Sequence, residues 1–140
     1  MDSIVFVVAH PDDMAYGMSG TAFLLKDRYR LHVVCATRGE RGLKDSSMEE
    51  TAAIREKEES EASKILGAGL TFLDLIDREV FADRKNSEKL GEIVKSVDPV
   101  AVFTIWPVDF HPDHSAISEM TGKALFLTDN RPQLYFCERS

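Results

Sequence analysis

The chain reads as an α/β fold: a Rossmann-like, doubly wound and mostly parallel sheet of about five strands, order 3-2-1-4-5, with helices on both faces. Three observations predict it. Apolar runs rich in β-branched residues are continuous rather than alternating, as in strands buried on both faces. Segments with helical spacing or capping signals fall between them, a β-α rhythm that repeats to the end of the chain. Right-handed crossovers then leave few ways of ordering the strands, and the doubly wound order is the first of them.

Each element follows from local signals. Ile4 to Ala9 (IVFVVA) has no 3.6-residue period and reads as the first strand. Tyr16 to Tyr29 follows with helix-like spacing. Leu31 to Thr37 (LHVVCAT) is the second strand, and Arg38 to Lys44 (RGERGLK) a loop rich in glycine and charge. Ser46 with Glu49, or Ser47 with Glu50, fits a capping box, so a long helix starts near Met48 and runs to Leu66. Gly67 and Gly69 end it. Thr71 to Ile76 is the third strand. Ser87 to Val97 is a short helix whose exit is set by Asp98-Pro99. Val100 to Ile105 is the fourth strand, His114 or Ser115 to Phe126 a helix, and Gln133 to Cys137 the last strand. No repeat, low-complexity tract or linker interrupts the pattern, so residues 1–140 are expected to form one domain.

Composition narrows the function classes. Seventeen basic against 24 acidic residues give a net charge of −7. That disfavours nucleic-acid and acidic-membrane surfaces, which are held mainly by Lys and Arg on phosphates. No apolar run approaches the roughly 18–20 residues that span a bilayer, and Ile4–Ala9 is too short for a signal peptide. Cys35 and Cys137 lie in apolar runs without metal-pair spacing and read as buried thiols of a reducing compartment. The expected location is the cytoplasm.

The chemistry gathers in two stretches. Ala9-His10-Pro11-Asp12-Asp13 follows the first strand, and Asp109-Phe110-His111-Pro112-Asp113-His114 follows the fourth. In the 3-2-1-4-5 order these strands are neighbours, and their C-terminal ends flank the switch point where ligands bind. Three of the four histidines fall there. Imidazole and carboxylate are the ligands of catalytic zinc, which takes three protein ligands and keeps a position open. His10 and Asp13 across a Pro-stiffened turn, with His114 from the facing strand, supply three. Asp12, beside them and not needed as a ligand, is placed as the base that deprotonates water. His111, when protonated, can stabilise an oxyanion, and Asp109 and Asp113 can orient the histidines. Taken singly, either stretch reads as an ordinary cap or turn. Two His-Pro-Asp tetrads at facing strand ends do not. His32, inside the second strand, reads as a satisfied structural histidine.

At these residues the chain resembles the LmbE/PIG-L deacetylases. AHPDD, the Gly17 and Gly20 pair, TRGERG at 37–42, Arg55-Glu56-Lys57-Glu58 with Ala62 to Gly67, and HPDH carry the likeness over nearly the whole chain. The resemblance implies a zinc enzyme that removes acetyl from an N-acetylglucosamine-type sugar or its conjugate. It implies His10, Asp13 and His114 as metal ligands, Asp12 as general base, His111 at the acetyl carbonyl and Arg55 in substrate binding. Imidazole–carboxylate sites accept other divalent ions too. The chain is short at the C-terminus relative to the family. Its substrate wall is therefore expected to be open or borrowed.

Other residues keep two readings. Arg55 and Glu58, at i, i+3, fit an ordinary ion pair as well as a functional one; sharing a face with Ile54, Ala62 and Ile65, Glu58 is expected to border buried surface. Glu40 can reach the cleft or close its own loop with Arg38 or Arg41. Trp106 can line a sugar or the core rim. Gly17 and Gly20 are expected to permit close packing of the first helix on the sheet. Three function readings result: a zinc N-deacetylase, a metal-containing carbohydrate-binding domain with weak or no turnover, and a homo-oligomer that completes its cleft through the last strand.

Overall fold

The computed structural model describes residues 1–128 and 131–138. Five strands, β1 (Ser3–Val8), β2 (Arg30–Cys35), β3 (Gly69–Phe72), β4 (Ala101–Ile105) and β5 (Gln133–Cys137), form one sheet. Between them lie α1 (Asp13–Gly17), α2 (Ser19–Leu25), α3 (Met48–Ile65), α4 (Arg84–Val97) and α5 (Pro112–Phe126). The strand order is β3-β2-β1-β4-β5 and all four pairings are parallel, the doubly wound order expected from sequence.

The continuous apolar run of β1 has a simple cause. It is the central strand, paired on both edges, and Val5 to Val8 are fully buried on both faces. α4 and α5 pack on each other and over β1. Gly91 allows this approach, since an added Cβ would stand 3.3 Å from the Ala124 carbonyl oxygen. Among the described residues β5 pairs only with β4, and Gln133, Tyr135 and Phe136 are exposed. Among the described residues no helix is long and apolar enough to cross a membrane.

Several boundaries differ from expectation for local reasons. The helix expected over Tyr16–Tyr29 begins at Asp13 and breaks at Met18, whose φ of −135° is not helical and whose side chain is buried. β3 starts earlier, at Gly69, and stops at Phe72, where its partner β2 reaches Cys35. Gly69 faces His32, and an added Cβ would lie 2.5 Å from the imidazole Nδ1. His32 is otherwise satisfied by Thr71 Oγ1 at 2.8 Å. α4 begins at Arg84 because Asp83 caps it, accepting from the Asn86 N–H. Of the two capping boxes possible for α3, Ser47 is the cap, accepting from the Glu50 N–H.

Two packing expectations are corrected. Gly20 does not serve close packing, since a Cβ there would meet no atom within 4 Å. Gly20→Ala, within α2, is expected to stabilise the fold by roughly 0.4–1 kcal/mol by restricting the unfolded chain. Urea midpoints of the two proteins measure it, and a destabilised variant would restore the packing role. The second correction concerns α3. Ile54, Glu58 and Ile65 are exposed, whereas Thr51, Glu59 and Ser63 are buried and Arg55 is partly so. These four residues recur every fourth position on one face. The helix turns polar groups inward because part of this face meets loop backbone at the strand ends, where N–H and C=O groups need partners.

Candidate active site and metal centre

The loops leaving β1 and β4 bring the two His-Pro-Asp stretches together. The His10 ring centroid lies 4.6 Å from that of His111 and 5.3 Å from that of His114. His10, Asp13, Arg55, Asp77, His111 and His114 line a cleft of about 150 Å³.

The imidazoles of His10 and His114 each turn one nitrogen toward Asp13 and back the other with a carboxylate. His10 Nε2 meets Asp113 Oδ2 at 2.8 Å and Asp77 Oδ1 at 3.1 Å, while Nδ1 lies 3.5 Å from Asp13 Oδ2. His114 Nδ1 meets Asp109 Oδ1 at 3.1 Å, and its Nε2 lies 3.4 Å from the same Asp13 oxygen. Ligand atoms of His10, Asp13 and His114 fall within 4.8 Å of one another, and all three residues are buried. Histidines that ligate metals are oriented in this way, by a carboxylate on the nitrogen turned away from the ion.

The electrostatics also suit a cation. Burial would push the His10 imidazole down, but hydrogen bonds with Asp113, Asp13 and Asp77 raise it to about 11. Burial would push the Asp13 carboxyl up, but hydrogen bonds with His10 and His114 overcome this and lower it well below the usual carboxylate range. A single imidazole thus gathers three carboxylates, a surplus of negative charge that a divalent ion would neutralise. The donor set fits a metal.

A second group, His10, Asp77, His111 and Asp113, also has its ligand atoms within 4.8 Å of one another. Several of its acceptors are already engaged. Asp113 accepts from the backbone N–H groups of Arg78 (2.7 Å) and Val80 (3.2 Å), and Asp77 Oδ2 from that of Arg41 (3.0 Å). Within this group Asp77 and Asp113 back His10, and His111 meets the His10 ring edge-on.

His111 has a role that its spacing did not suggest: it caps α5. Its Nδ1 accepts the Asp113 N–H at 3.1 Å, and Pro112 occupies the first helical turn, so the helix starts at Pro112. The neutral ring therefore carries its proton on Nε2. Burial and the charge of His10 push its pKa down, against the protonated ring expected from the sequence.

Asp12 holds the left-handed backbone conformation, with φ of 82°, and its side chain makes no cap bond to α1. The Asp12 carboxylate is half-exposed, 3.5 Å from Arg55 Nη2. Arg55 also donates from Nη1 to the Gly39 carbonyl and from Nη2 to the Pro11 carbonyl, both at 2.8 Å. It thereby joins the Gly-rich loop after β2 to the HPDD loop after β1. The glycines of that loop make the room: a Cβ on Gly39, whose φ is +62°, would stand 2.0 Å from Arg55 Nη1, and one on Gly42 2.5 Å. Gly39→Ala should therefore cost about 1–3 kcal/mol from left-handed strain and the displaced guanidinium. Urea denaturation tests this, and an unchanged midpoint would show that the loop yields without cost.

Three residues of the site are not singled out by the sequence for the part they play. Asp77 backs His10 from the loop after β3, and Glu59 accepts the Asp12 N–H at 3.1 Å. Glu40, expected either to close its own loop or to reach the cleft, accepts the Asp77 N–H at 2.7 Å and so braces that loop. An acid just beyond an expected strand end was the available signal for Asp77. Glu59 had none, because its neighbour Glu58 offered the same residue type. Arg38 pairs instead with Glu56 and Asp74, and Arg41 with Glu79. Trp106 packs edge-on against Phe136 of β5 at 6.0 Å.

Known proteins share this arrangement of strands and loops. The chain is 31% identical over 144 residues to a Bacillus anthracis protein described as probable N-acetyl-alpha-D-glucosaminyl L-malate deacetylase 2, covering 94% of this chain and 64% of that one. The structure of N,N'-diacetylchitobiose deacetylase from Pyrococcus horikoshii superimposes with a TM-score of 0.85 at 32% identity, covering 89% of this chain and 49% of the other. A Pseudomonas putida relative of different chemistry, 4-oxalmesaconate hydratase, is 31% identical over 110 residues, which are 73% of this chain and 43% of that protein. The chain thus spans less than two thirds of the length of these relatives. A family profile described as PIG-L: GlcNAc-PI de-N-acetylase matches residues 5–125, which takes in both His-Pro-Asp stretches and the helix that carries Arg55, and the chain belongs to that family.

Proposed function

We propose that the protein is a zinc-dependent N-deacetylase that removes acetyl from an N-acetylated amino sugar. The observation that carries this reading is the convergence of His10 Nδ1, His114 Nε2 and Asp13 Oδ2, with carboxylates behind both imidazoles. The deacetylase relatives support the substrate class. His10, Asp13 and His114 would hold the ion, which when bound supplies Lewis acidity toward water and the acetyl carbonyl.

The chain's own groups supply the rest. Asp12 takes a proton from the attacking water as oxygen bonds to the acetyl carbon. The Nε2–H of His111 donates to the carbonyl oxygen as it gains negative charge, a role its capped Nδ1 leaves open. When the C–N bond breaks, the proton on Asp12 passes to the leaving amine. Arg55 on the cleft wall is placed to meet a sugar hydroxyl while it keeps Asp12 in register. A cleft of about 150 Å³ is small beside drug-sized pockets of roughly 300–1,000 Å³. It suits the acetamide, with the sugar held at the rim.

The deciding experiment measures metal content and acetate release from N-acetylglucosamine and its conjugates by the purified 140-residue chain. Release that exceeds that of the metal-stripped protein supports the enzyme. Sugar binding without release would make this a metal-containing binding domain. Hydration of 4-oxalmesaconate without acetate release would assign the chemistry of the hydratase relative instead.

A further inference from the structure

α3 carries a buried carboxylate that the proposed reaction does not use. Glu59 is 3% exposed, and its hydrogen-bond partner among the described residues is the Asp12 N–H at 3.1 Å. Burial and the nearby Asp12 and Asp13 charges push its carboxyl up, so the group is held at a cost. One turn earlier on the same face, Arg55 Nη2 donates to the Pro11 carbonyl at 2.8 Å. The C=O of Pro11 and the N–H of Asp12 belong to one peptide group. Two side chains four residues apart on one helix therefore grip a single peptide plane at its opposite ends. Rotation of that plane is the motion that would release Asp12 from φ of 82°, a conformation that few non-glycine residues hold.

We propose that Glu59 is a positioning residue: with Arg55 it clamps the Pro11–Asp12 peptide and so aims the Asp12 carboxylate. The catalytic half of this inference rests on the deacetylase reading. The hydrogen bond itself does not.

Three forms of the metal-loaded chain separate the possibilities: wild type, Glu59→Leu, which has no acceptor, and Glu59→Gln, which keeps one. In the amide NMR spectrum, recorded without substrate, the Asp12 proton should move upfield and lose exchange protection in Glu59→Leu. Glu59→Gln should retain the protection. Acetate release should fall about 100-fold in kcat for Glu59→Leu, the scale of a small misplacement of a catalytic group, with KM and metal stoichiometry near wild type. Glu59→Gln should recover most of that loss, to within about tenfold of wild type. An unchanged Asp12 amide or a wild-type kcat in Glu59→Leu overturns the proposal, as does a Glu59→Gln as slow as Glu59→Leu. If Glu59→Leu does not fold, Glu59→Gln decides: lost protection or a 100-fold slower kcat overturns it. A wild-type protein that releases no acetate ends the deacetylase reading, while the amide spectra still decide whether Glu59 holds this peptide.

Discussion

Asp12→Asn is expected to reduce acetate release by about 10²- to 10⁴-fold while leaving metal content at the wild-type level, the range for loss of a general base. The two side chains have the same shape, but the amide cannot accept a proton at neutral pH. Asparagine also tolerates the left-handed conformation that residue 12 adopts, so the loop should keep its course. The Asp12 N–H to Glu59 and the Arg55 bonds to Pro11 and Gly39 involve no atom that the substitution changes. What the substitution weakens is the 3.5 Å approach of Arg55 to a half-exposed carboxylate, and exposed pairs contribute little to stability. Turnover, metal analysis and circular dichroism on one preparation make the comparison. Near-normal deacetylation by this variant would remove Asp12 as the base.

His114→Ala should produce the larger loss of metal. It deletes one of the three proposed donors and leaves Asp13 and Asp109 without the imidazole that lies between them, Nε2 3.4 Å from one and Nδ1 3.1 Å from the other. Loss of an orienting partner usually costs 10–100-fold in metal affinity. Asp109→Asn, which changes only the group behind His114, should fall in that range, and His114→Ala well beyond it. Competition with a chromophoric chelator measures both, and His114→Gln serves as a control of similar bulk for the buried site. Wild-type zinc stoichiometry in His114→Ala would exclude it as a ligand. Equal losses in the two variants would mean that the ring's orientation matters more than its lone pair.

Some of this site is legible in the sequence and some is not, for reasons visible in particular residues. The placement of His10–Asp13 and Asp109–His114 at adjacent strand ends follows from the strand order, and that order follows from apolar runs and crossover handedness. The partnership of carboxylates with imidazoles does not. Asp113 stands beside His114 in sequence yet meets His10, 103 residues away. Asp109 reaches past its neighbours to His114 while also accepting the His111 N–H at 2.8 Å. The inner face of α3 is hidden from a periodicity argument because the apolar residues that normally mark a buried stripe point outward here. The helix seats Arg55 and Glu59 on loop backbone instead.

The sequence by itself determined the α/β class, the strand order and the two short stretches in which imidazole and carboxylate gather. These depend on local periodicity, on turn chemistry and on the handedness of the chain, all of which act over a few residues. Tertiary structure decided which atoms meet: the nitrogens that His10 and His114 turn toward Asp13, the capping by His111, the backing by Asp77 and the grip of α3 on the Pro11–Asp12 peptide. Those meetings depend on how loops from different strands pack over the end of the sheet. Distances of a few tenths of an ångström between residues far apart in the chain leave no pattern in their local sequence.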